Sequence, residues 1–127
     1  MPVEYEITIE DEELDFRGNY IASGDDAYDR KCEEWIASEL DRGNQAAWCW
    51  VCVTARFEGF KGSDSLGGCS YKSMKDLEKN LIPEMKVNAR ADLLANIRRA
   101  STEAVKDARA YARKAKAALK ALEGSGS

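Results

Sequence analysis

By side-chain type, the residues of this chain best suited to chemistry are its four cysteines, Cys32, Cys49, Cys52 and Cys69. Their spacing, C-x16-C-x2-C-x16-C, offers four thiolates of the kind that bind zinc. Cys49 and Cys52, however, sit inside the run Trp48 to Val53, which is rich in strand-forming residues. Side chains of a strand alternate between faces, so these two sulfurs point oppositely and lie roughly 10 Å apart along the chain. That exceeds the approximately 7 Å Cα limit for a disulfide, and Trp50-Val51 does not supply the turn of a zinc knuckle. Buried thiols acting as small hydrophobes are the favoured role, and no metal or cofactor is assigned.

Histidine is absent. The commonest general base, the Ser-His and Cys-His nucleophile pairs and histidine-ligated metals are therefore all removed. No pair of acids stands out among the 23 Asp and Glu residues, so no catalytic residue is assigned and an enzyme is not expected. Gly67-Gly68 matches neither a Walker loop nor a dinucleotide-binding loop, which need Gly-Lys-Ser/Thr and G-x-G-x-x-G respectively. A β-bulge or a tight strand end accounts for it better.

The elements that must position any site centre on Ala46 to Tyr71. Ala47, Cys49, Val51, Val53, Ala55 and Phe57 form an uninterrupted apolar row on one face of a long strand. Trp48, Trp50, Cys52, Thr54, Arg56 and Glu58 form the other face. Trp48 and Trp50 are either packed under a helix or loop, or an exposed aromatic patch for binding. Gly59 to Asp64 is the expected hairpin loop, with Leu66 to Tyr71 returning. Upstream, Val3, Tyr5, Ile7 and Ile9 alternate with polar residues as in a half-buried strand. The segment after it, from Phe16 to Tyr20, reads as irregular. A helix then opens at Asp25 as N-cap, with Asp26 and Asp29 suiting its dipole. It carries a stripe of Tyr28, Cys32, Trp35, Ile36 and Leu40 and stops at Gly43. An EF-hand loop pattern is missing, so capping is preferred to calcium binding at these acids.

Ser73 begins a short helix over Met74 to Asn80, and Pro83 marks a new start or a kink. From Glu84 to about Leu122 nothing breaks a helix. Some 38 residues would reach roughly 57 Å, so part of it must project, fold back or pack against another copy. Leu93, Ile97, Ala100, Ala104, Ala108, Tyr111, Ala115, Leu119 and Leu122 recur with an eleven-residue period, which favours a nearly straight packing seam. A bend at Ala100-Ser101-Thr102 would make a hairpin of it. Gly124 to Ser127 resembles a flexible engineered linker, and the Ala-Lys-Arg-rich helix leaves an engineered extension open.

The chain has 127 residues, 44% hydrophobic and 33% charged, as expected for one soluble domain. No apolar run spans a bilayer and no signal-peptide pattern is present, which points to the cytoplasm. Charge is segregated. Residues 1–83 carry nine Lys/Arg against eighteen Asp/Glu, and residues 84–123 carry ten against five. Glu10, Asp11, Glu12, Glu13 and Asp15, with Asp25, Asp26 and Asp29, make an acidic face suited to a basic protein surface. Arg98, Arg99, Arg109, Arg113, Lys114 and Lys116 are candidate nucleic-acid contacts. They surround the seam instead of forming one clean face, so a solvated face complementing the acidic region is an equal alternative.

The phrases RGN at 17–19, SGDDAYD at 23–29, W-x-W-V-x-V at 48–53 and ARFEGFKGSDSLGGCSY at 55–71 together resemble small uncharacterised proteins of phages and mobile elements. The likeness covers roughly residues 3–85, and the long Ala-Lys helix departs from it. Such proteins often bind host factors, including defence systems. The resemblance therefore implies a host-cell accessory protein, and it assigns no functional residues.

The combined expectation is an α+β protein with a small antiparallel sheet in β-α-β-β order, one covering helix and a long C-terminal helix or helical hairpin. An α+β domain over 1–83 is followed by a basic helical segment over 84–123, packed on it or on another subunit. The leading function is binding of a host protein without catalysis. Nucleic-acid binding through the basic helix and a structural or engineered homo-oligomer through the seam are the alternatives.

Overall fold

The computed structural model describes residues 2–19 and 23–125. The expected central strand is β2 (Cys49–Phe57), flanked by β1 (Glu4–Asp11) and β3 (Phe60–Cys69) in one antiparallel sheet of order β1-β2-β3. The apolar row fixes the core, with Cys49, Val51, Val53 and Ala55 all at 0% exposure. Directly across from Val51, Val53 and Ala55 on β1 stand Ile9, Ile7 and Tyr5. The fold is α+β, as the order of patterns predicts.

The hairpin is tighter than the glycine spacing suggests. Phe57 pairs with Phe60, leaving Glu58-Gly59 as a two-residue turn in place of the expected loop from Gly59 to Asp64. Both residues have positive φ, 51° and 82°. A two-residue turn of this hand matches the right-handed twist of the strands, and glycine makes its second position easy. The remaining glycines are then spent inside β3. Gly67-Gly68 forms the anticipated bulge, where the register shifts between Cys49 and Val51.

Helix α1 (Asp26–Asp41) begins as expected, with Asp25 accepting from the Ala27 and Tyr28 amides. It ends at Gly43, φ 87°. There Gly43 N–H donates to the Leu40 carbonyl and Asn44 N–H to the Glu39 carbonyl, the paired bonds of a Schellman ending. Ile36 is buried with Trp48 and Phe16, Ala37 and Leu40 pack against them, and the helix meets the 3-10 turn Gln45–Ala47. Tyr28 and Trp35, placed on the buried stripe by spacing, are exposed: Tyr28 precedes the packed half of the helix, and Trp35 lies about 100° round the helix from Ile36, away from Ala37 and Leu40.

The apolar face is covered from the C-terminal side by α2 (Met74–Asn80) and the first turns of α3 (Ile82–Gly124). Leu77, Leu81, Ile82, Met85, Ala89 and Leu93 are all buried. Gly62 on β3, opposite Ala55, decides how close the helix comes. A Cβ added there would stand 2.0 Å from the Leu93 amide nitrogen and 2.7 Å from the Ala89 carbonyl oxygen. The approach is pinned by Asp92, which accepts from the Ser63 amide at 2.9 Å, and by Asn88, which donates to Asp64 at 3.1 Å. On the opposite edge strand, Lys86 lies 5.4 Å from the centre of the Tyr5 ring.

Pro83 sits in the first turn of α3, where its missing N–H is harmless. The helix then runs without the bend considered at Ala100-Ser101-Thr102, since no proline or glycine interrupts it before Gly124. Thr102 only donates its hydroxyl to the Arg98 carbonyl one turn back. The chain divides into two compact units, one through Leu93 and one from Leu94 onward. Of the linker-like tail, Gly124 ends α3 and Ser125 donates to Ala121, while Gly126 and Ser127 lie outside the described residues, as does Tyr20.

The Gly62 contact is testable. Gly62→Ala forces backbone against backbone, and urea denaturation is expected to show a loss of about 3 kcal/mol. A change within about 0.5 kcal/mol, the range of ordinary surface substitutions, would mean the helix is not seated there.

Candidate functional site

The two tryptophans separate. Trp48 is interior, at 4% exposure, with its ring edge-to-face against Phe16 at 6.2 Å. Its indole N–H donates to the Leu14 carbonyl at 2.7 Å. That satisfies the one polar group of a buried indole, so Trp48 belongs to packing and not to an aromatic patch. Trp50, two residues on and half-buried, sits directly across from Glu10.

Around Trp50 the end of β1 and the following segment place Glu10, Asp11, Glu12 and Glu13 along a surface cavity of about 240 Å3. These acids are not equivalent. Glu12 accepts from the Gly68 amide at 2.6 Å and from the Leu14 amide at 3.2 Å. Asp11 accepts from the Gln45 side chain at 2.9 Å. Asp15 accepts from the Arg17 amide and lies 3.8 Å from the Arg17 guanidinium. Glu10 and Glu13 make no hydrogen bond or ion pair among the described residues, so their charge is available to a partner.

The other expected acids serve α1. Asp25 caps it, and Asp29 accepts from the Ser23 amide and hydroxyl, the latter at 2.8 Å. Among the described residues, Asp26 alone of that trio has no such bond. Of the acids read as one face, Glu10, Asp11, Glu12 and Glu13 border Trp50, whereas Asp25, Asp26 and Asp29 stand at the start of α1.

The second unit, taken by itself, is helical and exposed. Arg98, Arg99, Arg109, Arg113, Lys114 and Lys116 are all exposed. At about 100° per residue, Arg98, Arg109, Arg113 and Lys116 fall within about 60° of one another. Lys106, Lys120 and Arg99 join them, on the side opposite the seam, while Lys114 lies between that face and the seam. An unbroken helix thus gives a cleaner basic face than a charge count along the chain suggests. Ser101, Thr102, Val105, Lys106, Arg109 and Arg113 line a shallow cavity on it. Of the seam, Leu93 is buried and Ile97 and Ala100 are half-buried. Ala104, Ala108, Tyr111, Ala115, Leu119 and Leu122 are exposed.

Among the cysteines, Cys49 and Cys69 are directly paired across β2 and β3 and both are buried. Cys32 on α1 and Cys52 on the opposite sheet face are half-buried. Among the described residues no group of three or more Cys, Asp or Glu side chains is placed to hold a metal. Nor is any helix long and apolar enough to cross a membrane. The cysteine pair was hidden by sequence distance, because its only signal is the strand register.

Glu12 has a structural duty that Glu10 and Glu13 lack. Glu12→Ala removes a charge-assisted bond that holds the bulge and is expected to lower stability by about 1–2 kcal/mol. Glu10→Ala, measured in the same denaturation series, is expected to stay within about 0.5 kcal/mol of the parent. Equal costs would refute the division of roles. Comparison of the chain with protein-family models, curated proteins and solved structures gives no match.

Proposed function

We propose that this chain is a non-enzymatic accessory protein of a phage or mobile element that binds a host protein in the host cytoplasm, with inhibition of a defence system as the implied role. The observation that carries the reading is the half-buried Trp50 set among Glu10 and Glu13, whose carboxylates have no partner among the described residues. An aromatic anchor ringed by same-sign charge suits a basic protein surface of the kind that otherwise meets nucleic acid. The phage-like phrases at residues 17–19, 23–29, 48–53 and 55–71 support the host setting.

A second reading has its own support in the basic face of α3. Residues 94–123 carry eight Lys/Arg against three Asp/Glu, and the helix gathers most of these cations on one side. Phosphate binding by such a face is electrostatic and releases counterions.

Two experiments separate the readings. In a pull-down from nuclease-treated bacterial lysate, the parent chain is expected to retain a protein that Glu10→Lys/Glu13→Lys recovers at least about tenfold less well, with an unchanged melting temperature. Undiminished recovery by the reversed variant would end the acidic-face proposal. For the basic face, duplex DNA titrations at increasing salt are expected to give a log–log slope of about −3 to −4 if four cations engage phosphates. Replacing Arg98, Arg109, Arg113 and Lys116 by Gln should abolish it. Absent or salt-insensitive binding would remove the nucleic-acid reading.

A further inference from the structure

We propose that Cys49 and Cys69 are a redox-active cross-strand dithiol, closed to a disulfide by low-molecular-weight disulfides with Cys69 as the attacking sulfur. The two residues are direct partners in the β2–β3 ladder. Opposed residues of an antiparallel pair have Cα atoms about 4.5–5.5 Å apart, inside the range of about 4.4–6.8 Å that a disulfide spans. Each thiol shifts the acidity of the other across the pair. Closure therefore needs no movement of the strands. Neither of the other thiols shares this placement, since Cys52 is opposed by Thr8 and Ser65, and Cys32 lies on α1.

The two sulfurs are not equivalent. Cys49 is fully buried in the apolar row, whereas Cys69 lines a surface cavity of about 220 Å3 with Trp48, Leu66, Gly68 and Tyr71. A small reagent reaches Cys69 first. The neighbouring Cys49 thiol lowers the Cys69 pKa, working against burial and the nearby Glu12 carboxylate. Cys69 in turn, with burial, pushes Cys49 upward. Of the two, Cys69 gives up its proton the more readily, and the thiolate is the nucleophile in exchange. Its Sγ also lies 3.3 Å from the Leu66 carbonyl, which fixes its position at the bulge.

The chemistry balances with a disulfide RSSR as oxidant. The Cys69 thiolate attacks one sulfur of RSSR, forming a Cys69–S–S–R bond and expelling RS−, which takes up a proton. The Cys49 sulfur, losing its proton, then attacks Cys69 Sγ. The protein disulfide forms and a second RS− leaves with that proton. Two protein thiols are oxidised and one RSSR is reduced to two RSH.

The test uses the full chain, equilibrated in mixtures of 2-mercaptoethanol and 2-hydroxyethyl disulfide and quenched with acid. Intact mass is expected to fall by about 2 Da, the loss of two hydrogens, with peptide mapping placing the link between Cys49 and Cys69. The oxidised form is expected to melt higher, on the order of 5 °C. Cys49→Ala should stop at a mixed disulfide on Cys69, and Cys69→Ala should leave Cys49 unmodified while native. A chain that stays reduced across the series, or that links or caps Cys32 or Cys52 instead, would overturn the proposal. Faster capture of Cys49 than of Cys69 in the two variants would overturn the assigned order of attack.

Discussion

The contact on which the first unit depends is backbone against backbone at Gly62. Three small residues meet there, Ala55 on β2, Gly62 on β3 and Ala89 on α3, and none holds the helix off the sheet. Dispersion between closely packed backbones and the burial of Met85, Leu77 and Leu93 follow from that proximity. The same proximity lets Asp92 reach the Ser63 amide. β3 is an edge strand, and an edge donor left unpaired is a template for unwanted strand addition. One glycine therefore sets the packing distance and brings a carboxylate within reach of the exposed edge.

Much of this architecture was legible because it is written in local patterns. The apolar row of β2, the Asp25 cap, the Gly43 stop and the Gly67-Gly68 bulge each depend on neighbours in sequence. What sequence reading missed depends on partners far along the chain. Gly62 reads as loop glycine until Ala89 and Leu93 arrive opposite it. The true turn uses Glu58, a residue with no turn preference of note, held by the Phe57–Phe60 pairing around it. Tyr28 and Trp35 obey helical spacing, yet spacing cannot say where along a helix, or how far round it, the packed partner extends. The candidate site was half legible. The acids were visible, but which of them are tied to Gly68, Gln45, Arg17 and Ser23 was not.

That division changes how the charges are understood. An acidic run counted as one surface becomes a mixture of internal acceptors and unpartnered carboxylates, and only the latter alter an approaching partner's energy without altering the fold. The basic helix moves in the other direction. Charges that look scattered along the chain converge once an unbroken helix is imposed, because positions 98, 109, 113 and 116 return to one side. The seam opposite them is alanine-rich and exposed from Ala104 onward. A second copy laid on it would bring together two helical segments that each carry a net charge of +5 over residues 94–123. That repulsion opposes self-association most at low salt, the condition that most favours an anionic partner on the basic face.

The bulge of β3 is where the separate features of the first unit meet. Gly68 takes φ +63°, and a Cβ there would stand 3.3 Å from the Trp48 ring, so the interior tryptophan packs against bare backbone. Its amide is held by Glu12, and Gly67 beside it has the Trp50 ring as a neighbour. Cys69 follows at once, directly across from Cys49. Two glycines thus join the core tryptophan, the surface tryptophan, the Glu12 carboxylate and the cysteine pair within three residues of strand. A covalent link between Cys49 and Cys69 would fix the strand spacing on one side of this bulge. The Glu12–Gly68 bond ties the segment after β1 to its other side, where Trp50 lies beside Gly67.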